Sequence, residues 1–361
     1  MDFGRRPILV FWEMTRACGL ACRHCRASAI PEPLAGELSH DEAEALLREL
    51  TGFGRPAPVL IATGGDVLMR GDLDALAATA GRLKLPLALA PSVTPLLTGA
   101  RIARLRRRGV KVASISLDGA TAAVHDGVRG IDGHLEQTLA AIRLLRDQGV
   151  TVQVNTVIMR ETVHELPAVA RLVKESGAGI WELFFLVRVG RGSTLDELTA
   201  DENEHVCHFL VDASRHGFVV RTVEAPFFRR VAARRAVGEA PPTAGLYREL
   251  VARLRSELGP PEGPPRAQTK GTRDGCGILF VAHDGTITPS GFLPVALGNV
   301  RDSDIVDVYR KHPLLRRIRS AAFGGRCGRC AYRDVCGGSR ARAYAATGDP
   351  LAEDPGCAFS P

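Results

Sequence analysis

Nine cysteines punctuate the chain, at positions 18, 22, 25, 207, 276, 327, 330, 336 and 357. Seven of them fall into two tight groups near opposite ends. Cys18, Cys22 and Cys25 form Cys-x3-Cys-x2-Cys; Cys327, Cys330 and Cys336 form Cys-x2-Cys-x5-Cys, with twenty residues between Cys336 and Cys357. An odd total in a long chain without signal-peptide anatomy argues against disulfides and for thiolate ligation. Three thiolates on one loop suit three irons of a [4Fe–4S] cluster, leaving the fourth iron open as a coordination site. The alternative is zinc held by the same three thiolates and His24, the one local candidate for a fourth ligand. Four thiolates in the tail suit either zinc or a closed [4Fe–4S] cluster. Cys207 reads as a core residue of an amphipathic helix. Cys276 reads as a buried thiol or as a further ligand.

The elements that must position these thiols follow from pattern. Short apolar runs at Ile8–Met14, Val59–Ala62, Leu87–Ala90, Lys111–Leu117, Thr151–Met159 and Ile180–Val187 read as strands buried on both faces. Amphipathic stretches alternate with them: Asp41–Leu50, Asp72–Leu83, Ala100–Arg108, Leu135–Gln148 and Glu165–Ser176. Ser39 with Glu42 makes a capping box, and Gly109, Gly149 and Gly177 stand just past three helix ends. Six strand–helix repeats predict an α/β fold with a parallel sheet, its site at the C-terminal ends of the strands. A sixth helix is expected over Asp201–Arg215 and an extended piece over Phe218–Val223. Residues 224–273 are rich in Arg and Pro and read as a linker with one helix, Ala244–Leu258. From Cys276 a different module begins, with a hairpin turning at Asp284-Gly285 and a short helix over Ile305–Arg310.

Composition sets the boundaries. The chain has 361 residues, 45% hydrophobic and 24% charged, as in folded globular proteins. No apolar run is long enough to span a bilayer, so no membrane partner and a cytoplasmic location are expected. The net charge of +7 is carried by Arg far more than Lys. The basic cluster Arg101, Arg104, Arg106, Arg107 and Arg108 has few aromatics interleaved, so no nucleic-acid partner is expected.

The segment Glu13-Met-Thr-Arg-Ala-Cys18-Gly-Leu-Ala-Cys22-Arg-His-Cys25-Arg26 resembles the cluster loop of the radical S-adenosylmethionine (SAM) superfamily, with His24 at a usually aromatic position. Thr63-Gly64-Gly65-Asp66 is similar to that family's Gly-Gly-Glu motif, with Asp in place of Glu. The resemblance implies a partial (β/α)6 TIM-type barrel in which Cys18, Cys22 and Cys25 hold the catalytic [4Fe–4S] cluster. It implies SAM contacts from Gly64, Gly65 and Asp66, from Ser116 and Asp118 at the end of the fourth strand, and from Arg129, Asn155 and Leu186. The tail resembles the SPASM extension, or the smaller twitch type. Cys327, Cys330, Cys336 and Cys357 match the ligands of one auxiliary [4Fe–4S] cluster. Cys276 matches the first ligand of a second cluster, whose other positions hold Ser290 and Arg340. The implied organisation is a radical SAM core over 1–225, a linker over 226–272 and a SPASM-like auxiliary Fe–S domain over 273–361.

Three functions are expected to compete. In the first, reductive cleavage of SAM yields a 5′-deoxyadenosyl radical that takes hydrogen from a small carboxylate-bearing substrate. The tail sequence resembles the heme-biosynthesis-related branch, which implies a tetrapyrrole and side-chain cleavage or decarboxylation, with Arg188, Arg191, Arg340 or Arg342 gripping carboxylates. In the second, the substrate is a ribosomally made peptide; only seven residues precede the first strand, which counts against a peptide-recognition domain. In the third, the chain is a non-catalytic Fe–S or zinc protein. A one-electron reductant such as flavodoxin or ferredoxin is implied for the first two.

Overall fold

A computed structural model describes residues 2–268 and 271–361. They divide into two compact units. The first comprises Met1–Ile115, Ala140–Val152 and Thr272–Ser320, and the second Ser116–Leu139, Gln153–Gly271 and Ala321–Pro361. The segment expected as a C-terminal domain therefore contributes to both units.

The first unit begins with β1 (Leu9–Glu13), α1 (His40–Leu50), β2 (Val59–Thr63), α2 (Leu73–Arg82), β3 (Leu87–Leu89), α3 (Gly99–Arg107) and most of β4 (Val112–Ser116). The chain continues through α4 (Ala122–Arg129), α5 (His134–Asp147), β5 (Thr151–Ile158), α6 (Leu166–Glu175), β6 (Ile180–Phe185), α7 (Ala200–Ala213), β7 (Val219–Val223), α8 (Phe228–Ala236) and α9 (Gly245–Leu258). It returns to the first unit with β8 (Ile278–Val281), β9 (Thr286–Thr288), β10 (Gly298–Asn299), α10 (Ile305–Lys311) and α11 (Pro313–Arg319), and ends in the second with α12 (Gly325–Arg329) and α13 (Arg340–Thr347). The predicted α/β alternation is present.

In the first unit the strand order is β10-β9-β8-β1-β2-β3-β4. The strand that feeds the cysteine loop, β1, is parallel to β2 on one side and to β8 on the other. The β8–β9 hairpin turns at Asp284-Gly285 as expected, with Thr286 N–H donating to Asp284 Oδ1 (3.0 Å). The capping box of α1 is also present: Ser39 N–H donates to Glu42 Oε2 (2.8 Å) and Glu42 N–H to Ser39 Oγ (3.3 Å). Arg70 lies buried over the Trp12 ring, 5.3 Å from its centroid, and donates to Met14 O and Leu38 O (2.9 Å each). One buried guanidinium thus ties the end of β1 to the entry of α1.

In the second unit β5, β6 and β7 are parallel. Along β5, Val154, Thr156 and Ile158 are buried while Gln153, Asn155 and Val157 are half-buried, the period of two that strand geometry demands. Trp181 Nε1–H donates to Thr156 Oγ1 (2.9 Å), and Thr156 Oγ1–H donates to Leu117 O (2.7 Å). This buried ladder joins β5 and β6 to the chain leaving β4.

Five helices were not expected: α4, α8, α11, α12 and α13. Helix α4 carries His125, Asp126 and Arg129 on its buried side, so its inward face is polar and apolar periodicity does not mark it. Helix α8 lies in the expected linker. Its arginines are not all surface charges: Arg230 is 2% exposed, bound to Glu204 and set over the Phe359 ring. Among the described residues no helix is long and apolar enough to cross a membrane.

The Thr156 ladder gives a test. Thr156→Val leaves a buried indole N–H and a carbonyl without their partner and should cost about 2–4 kcal/mol. Thr156→Ser keeps both bonds. Thermal melts should show a clear loss for Val and a small one for Ser; equal melts would refute the ladder.

Candidate functional site: two thiol clusters and the turns that hold them

No disulfide joins the cysteines. In the first unit, Cys18 and Cys22 are buried and Cys25 is half-buried, on the loop after β1. The loop is pinned at both ends: Cys18 N–H donates to Ile30 O (2.8 Å) and Ile30 N–H to Arg16 O (3.0 Å). Thr15 Oγ1–H and Arg16 N–H both donate to Glu37 Oε1 (2.8 Å each). Two sulfurs receive backbone donors: Leu20 N–H points at Cys18 Sγ (3.4 Å) and Ala29 N–H at Cys25 Sγ (3.5 Å). Amide-to-sulfur bonds of this kind stabilise cluster thiolates, so the loop fits a [4Fe–4S] group. Burial pushes the Cys18 thiol above its ordinary value, and iron must displace that proton. Among the described residues no three His, Cys, Asp or Glu side chains converge on a single-ion site. A cubane sets a different requirement, because each thiolate takes its own iron.

The Gly64-Gly65 turn after β2 docks directly against this loop. Gly65 N–H donates to Thr15 O (2.8 Å) and Asp66 N–H to Ala17 O (2.6 Å). A Cβ on Gly64 would sit 2.4 Å from Thr15 O, and one on Gly65 would sit 2.3 Å from Ala17 O. Both positions therefore need glycine for close backbone approach, and Gly64 also has φ +150°. Asp66 is fully buried and accepts from Leu68 N–H (3.0 Å), Ser92 N–H (3.3 Å) and Thr94 Oγ1–H (2.7 Å). Its carboxylate caps the next turn, so what the motif can offer a ligand is backbone carbonyl. Ser92 links the two pieces, with its Oγ 3.5 Å from Cys18 Sγ and donating to Gly65 O (3.1 Å).

A charged group flanks the loop. Glu13, buried at the end of β1, accepts from Arg26 Nη2 (2.8 Å), and its Oε1 lies 3.0 Å from His283 Nδ1. Arg26 also lies over the Phe280 ring, 4.7 Å from its centroid. Burial pushes the Glu13 carboxyl up, but His283 and Arg26 outweigh it and hold the pKa below the usual range. Sequence reasoning missed this trio; a charged residue inside the apolar run of β1 was the available signal.

The remaining predicted SAM residues lie in the second unit. Asp118 is buried, with Oδ1 accepting from Val157 N–H (2.8 Å) and Oδ2 from Arg129 Nη2. The two charges brace the turn after β4 against α4 and β5, where the resemblance implies direct contacts with SAM. Asp118 N–H donates to His125 Nδ1 (3.1 Å), and His125 Nε2 lies 3.0 Å from His134 Nδ1. Ser116 and Asn155 are half-buried, and Asn155 Oδ1 accepts from Gln153 Nε2 (2.8 Å). Leu186 packs with Val128 and Met159. Its N–H donates to Ile158 O (3.2 Å) and its carbonyl accepts from Arg342 Nη2 (3.1 Å), so it presents an apolar side chain.

The four tail cysteines line one cavity, together with Arg230, Tyr332 and Phe359. Three sulfurs receive amide donors at 3.4 Å: Cys327 from Asp354, Cys330 from Tyr332 and Cys336 from Gly338. Burial pushes the Cys336 thiol up to about 12 and raises Cys357 as well. This donor set also fits a cluster. Cys276 lies in the first unit, buried beside Tyr309, whose hydroxyl accepts from Gly277 N–H (3.1 Å). Arg340 and Arg342, expected as carboxylate grips, are 0% and 3% exposed; Arg340 donates to carbonyls of the tail, and Arg342 to Leu186 O and Glu224 O. Arg188 is exposed, 3.4 Å from Asp196.

Residues 12–173 match the pattern that defines the radical SAM superfamily. The chain is 37% identical to the AdoMet-dependent heme synthase of Nitratidesulfovibrio vulgaris over 360 residues, 98% of this chain and 92% of that one. It belongs to the radical SAM superfamily. The AdoMet-dependent heme synthase of Methanosarcina barkeri is 36% identical, covering 98% of this chain and 97% of that one. These relatives bear out the expected kinship with the heme-biosynthesis-related branch. The crystal structure of Streptococcus suis SuiB bound to S-adenosylmethionine shares the fold, with a TM-score of 0.73 at 14% identity over 98% of this chain and 78% of that one. The protein is thus a radical SAM enzyme that uses a [4Fe–4S] cluster and SAM.

Two measurements check the site geometry. Gly65→Ala drives a methyl into Ala17 O and displaces the cysteine loop, so the reconstituted variant should lose about four irons per chain while remaining folded. Retention of full iron would refute the docking. Burial pushes His125 down to about 4, with Arg129 reinforcing and Asp118 opposing. The unfolded chain binds that proton first, so stability is intact above about pH 6.5 and falls toward pH 4, by up to about 3 kcal/mol. Urea titrations should show this slope, and His125→Gln should flatten it.

Proposed function

We propose that this enzyme removes carboxylate side chains from a tetrapyrrole in a reaction of heme formation. The full-length identity to AdoMet-dependent heme synthases carries the reading. Cys18, Cys22 and Cys25 would hold the catalytic [4Fe–4S] cluster and leave it open to SAM. When bound, this pair supplies a 5′-deoxyadenosyl radical that abstracts an unactivated hydrogen. The carbonyls of the Gly64-Gly65 turn accept from the SAM amino group. Ser116 and Asn155 offer a hydroxyl and an amide to the ribose. Asp118 and Arg129 hold the strand ends in place, and Leu186, with Val128 and Met159, gives the adenine an apolar wall. Arg188, exposed on the loop after β6, grips a substrate carboxylate as a fork.

Hydrogen loss from the side chain followed by loss of CO2 leaves one electron on the substrate, which needs an acceptor. Cys327, Cys330, Cys336 and Cys357 would hold an auxiliary [4Fe–4S] cluster in a SPASM-like tail, and such a group would supply one-electron acceptor chemistry. A flavodoxin or ferredoxin in the cytoplasm supplies the initial electron.

The test is anaerobic incubation of reconstituted enzyme with dithionite, SAM and iron-coproporphyrin. The expected products are 5′-deoxyadenosine, CO2 and a tetrapyrrole lighter by one CO2 and two hydrogens per cleaved side chain. Cleavage of SAM with every tetrapyrrole mass unchanged would overturn the proposal. Arg188→Gln should raise KM for the tetrapyrrole by about tenfold while leaving SAM cleavage intact, the loss expected for one charged hydrogen bond.

A further inference from the structure

Arg340 opens α13 and is 0% exposed. Its Nε donates to Gly338 O (3.3 Å), and its Nη1 to Pro350 O (3.1 Å) and Ala352 O (2.6 Å). The guanidinium lies over the Phe323 ring, 4.5 Å from its centroid. These contacts fix its direction, and Nη2 is left donating to Cys327 Sγ at 3.8 Å.

A buried guanidinium costs several kcal/mol unless an anion shares its site. The nearby carboxylate is Asp354, which accepts from Ser339 N–H (2.7 Å) and Gly356 N–H (2.9 Å) and lies 3.5 Å from Arg342 Nη1. Arg342 faces Glu197 as well, at 3.4 Å. Nη2 of Arg340 is directed at a sulfur. A protonated thiol offers it little, whereas a thiolate bound to iron offers negative charge that grows on reduction. Net charge and hydrogen bonds to sulfur are the levers by which a protein sets a cluster's potential.

We propose that Arg340 raises the reduction potential of the auxiliary cluster through its charged hydrogen bond to Cys327. The inference rests on the auxiliary-cluster reading above. It ties the tail to the electron left on the substrate, since a cluster made easier to reduce accepts that electron more readily. The amides of Asp354, Tyr332 and Gly338 act on sulfur too, but they bring no net charge.

The test uses the full chain with Cys18→Ala, Cys22→Ala and Cys25→Ala combined, so that only the tail can bind iron. After anaerobic reconstitution, iron and sulfide are counted and the midpoint potential is read by titration followed by electron paramagnetic resonance. About four irons per chain are expected. Adding Arg340→Gln should lower the midpoint by at least a tenfold change in the reduction equilibrium, about 59 mV for one electron. Arg340→Lys keeps the charge but not the fork and should fall between; a downward shift there carries the test where the Gln variant loses its iron. An unchanged midpoint with four irons retained overturns the role of Arg340 alone. Zinc, or no metal, in the triple-alanine background overturns the auxiliary cluster and this inference with it.

Discussion

The contact on which the first unit depends is backbone against backbone: the Gly64-Gly65 turn pressed onto the carbonyls of Thr15 and Ala17. A three-cysteine loop has little stiffness of its own, and its ligands must stand in register before iron arrives. Here register is imposed from outside. Parallel pairing of β1 with β2 sets Glu13 beside Thr63, and the next residues of both strands lock together through Gly65 N–H and Asp66 N–H. Side chains at 64 or 65 would force the two segments apart. The glycines thus serve the cluster loop as much as any ligand that rests on their carbonyls. Arg70, Glu37 and the Glu13–Arg26–His283 trio then hold the loop's flanks.

The second unit solves a related problem with charge. Asp118 and Arg129 are buried against each other, and breaking such a pair strands the survivor at a cost of about 3–5 kcal/mol. The pair is therefore a strong clamp on the turn after β4. His125 completes it as a neutral acceptor for Asp118 N–H, which is why its depressed pKa matters: a charged imidazole would lose that bond. Positioning by buried polar groups explains why α4 has a polar inward face and why its motif contains His, Asp and Arg.

What could be read from the residues divides along the same line. The strands β1 to β7, the capping box, the Asp-Gly hairpin and both cysteine groups follow from local pattern, because apolar periodicity, turn chemistry and ligand spacing are all short-range signals. Helix α4 and helix α8 escape that reading, since their buried faces carry His125, Arg129, Arg229 and Arg230. A sequence shows that an arginine is present but not that Glu204 waits for it. The same limit explains Arg340 and Arg342. They read as grips for substrate, and only the fold shows Arg340 enclosed by the carbonyls of Gly338, Pro350 and Ala352, and Arg342 by the carbonyls of Leu186 and Glu224 and by Asp354. The pairing of β8 with β1 is likewise a long-range fact.

The tail and the loop after β6 share one strut. Asp354 N–H donates to Cys327 Sγ, and its carboxylate holds Ser339, Gly356 and Arg342. Arg342 in turn donates to Leu186 O and to Glu224 O (2.8 Å). A strain at Cys327 therefore reaches Leu186 through two residues, Asp354 and Arg342, whose links to each other and to Leu186 are buried. Low local dielectric makes such a chain stiff, because each break leaves an unsatisfied charge or carbonyl. A tail that held its thiols loosely would also hold the β6 loop loosely. Cys327 thus serves the fold as well, since the order it shares with Asp354 is the order that Leu186 inherits through Arg342.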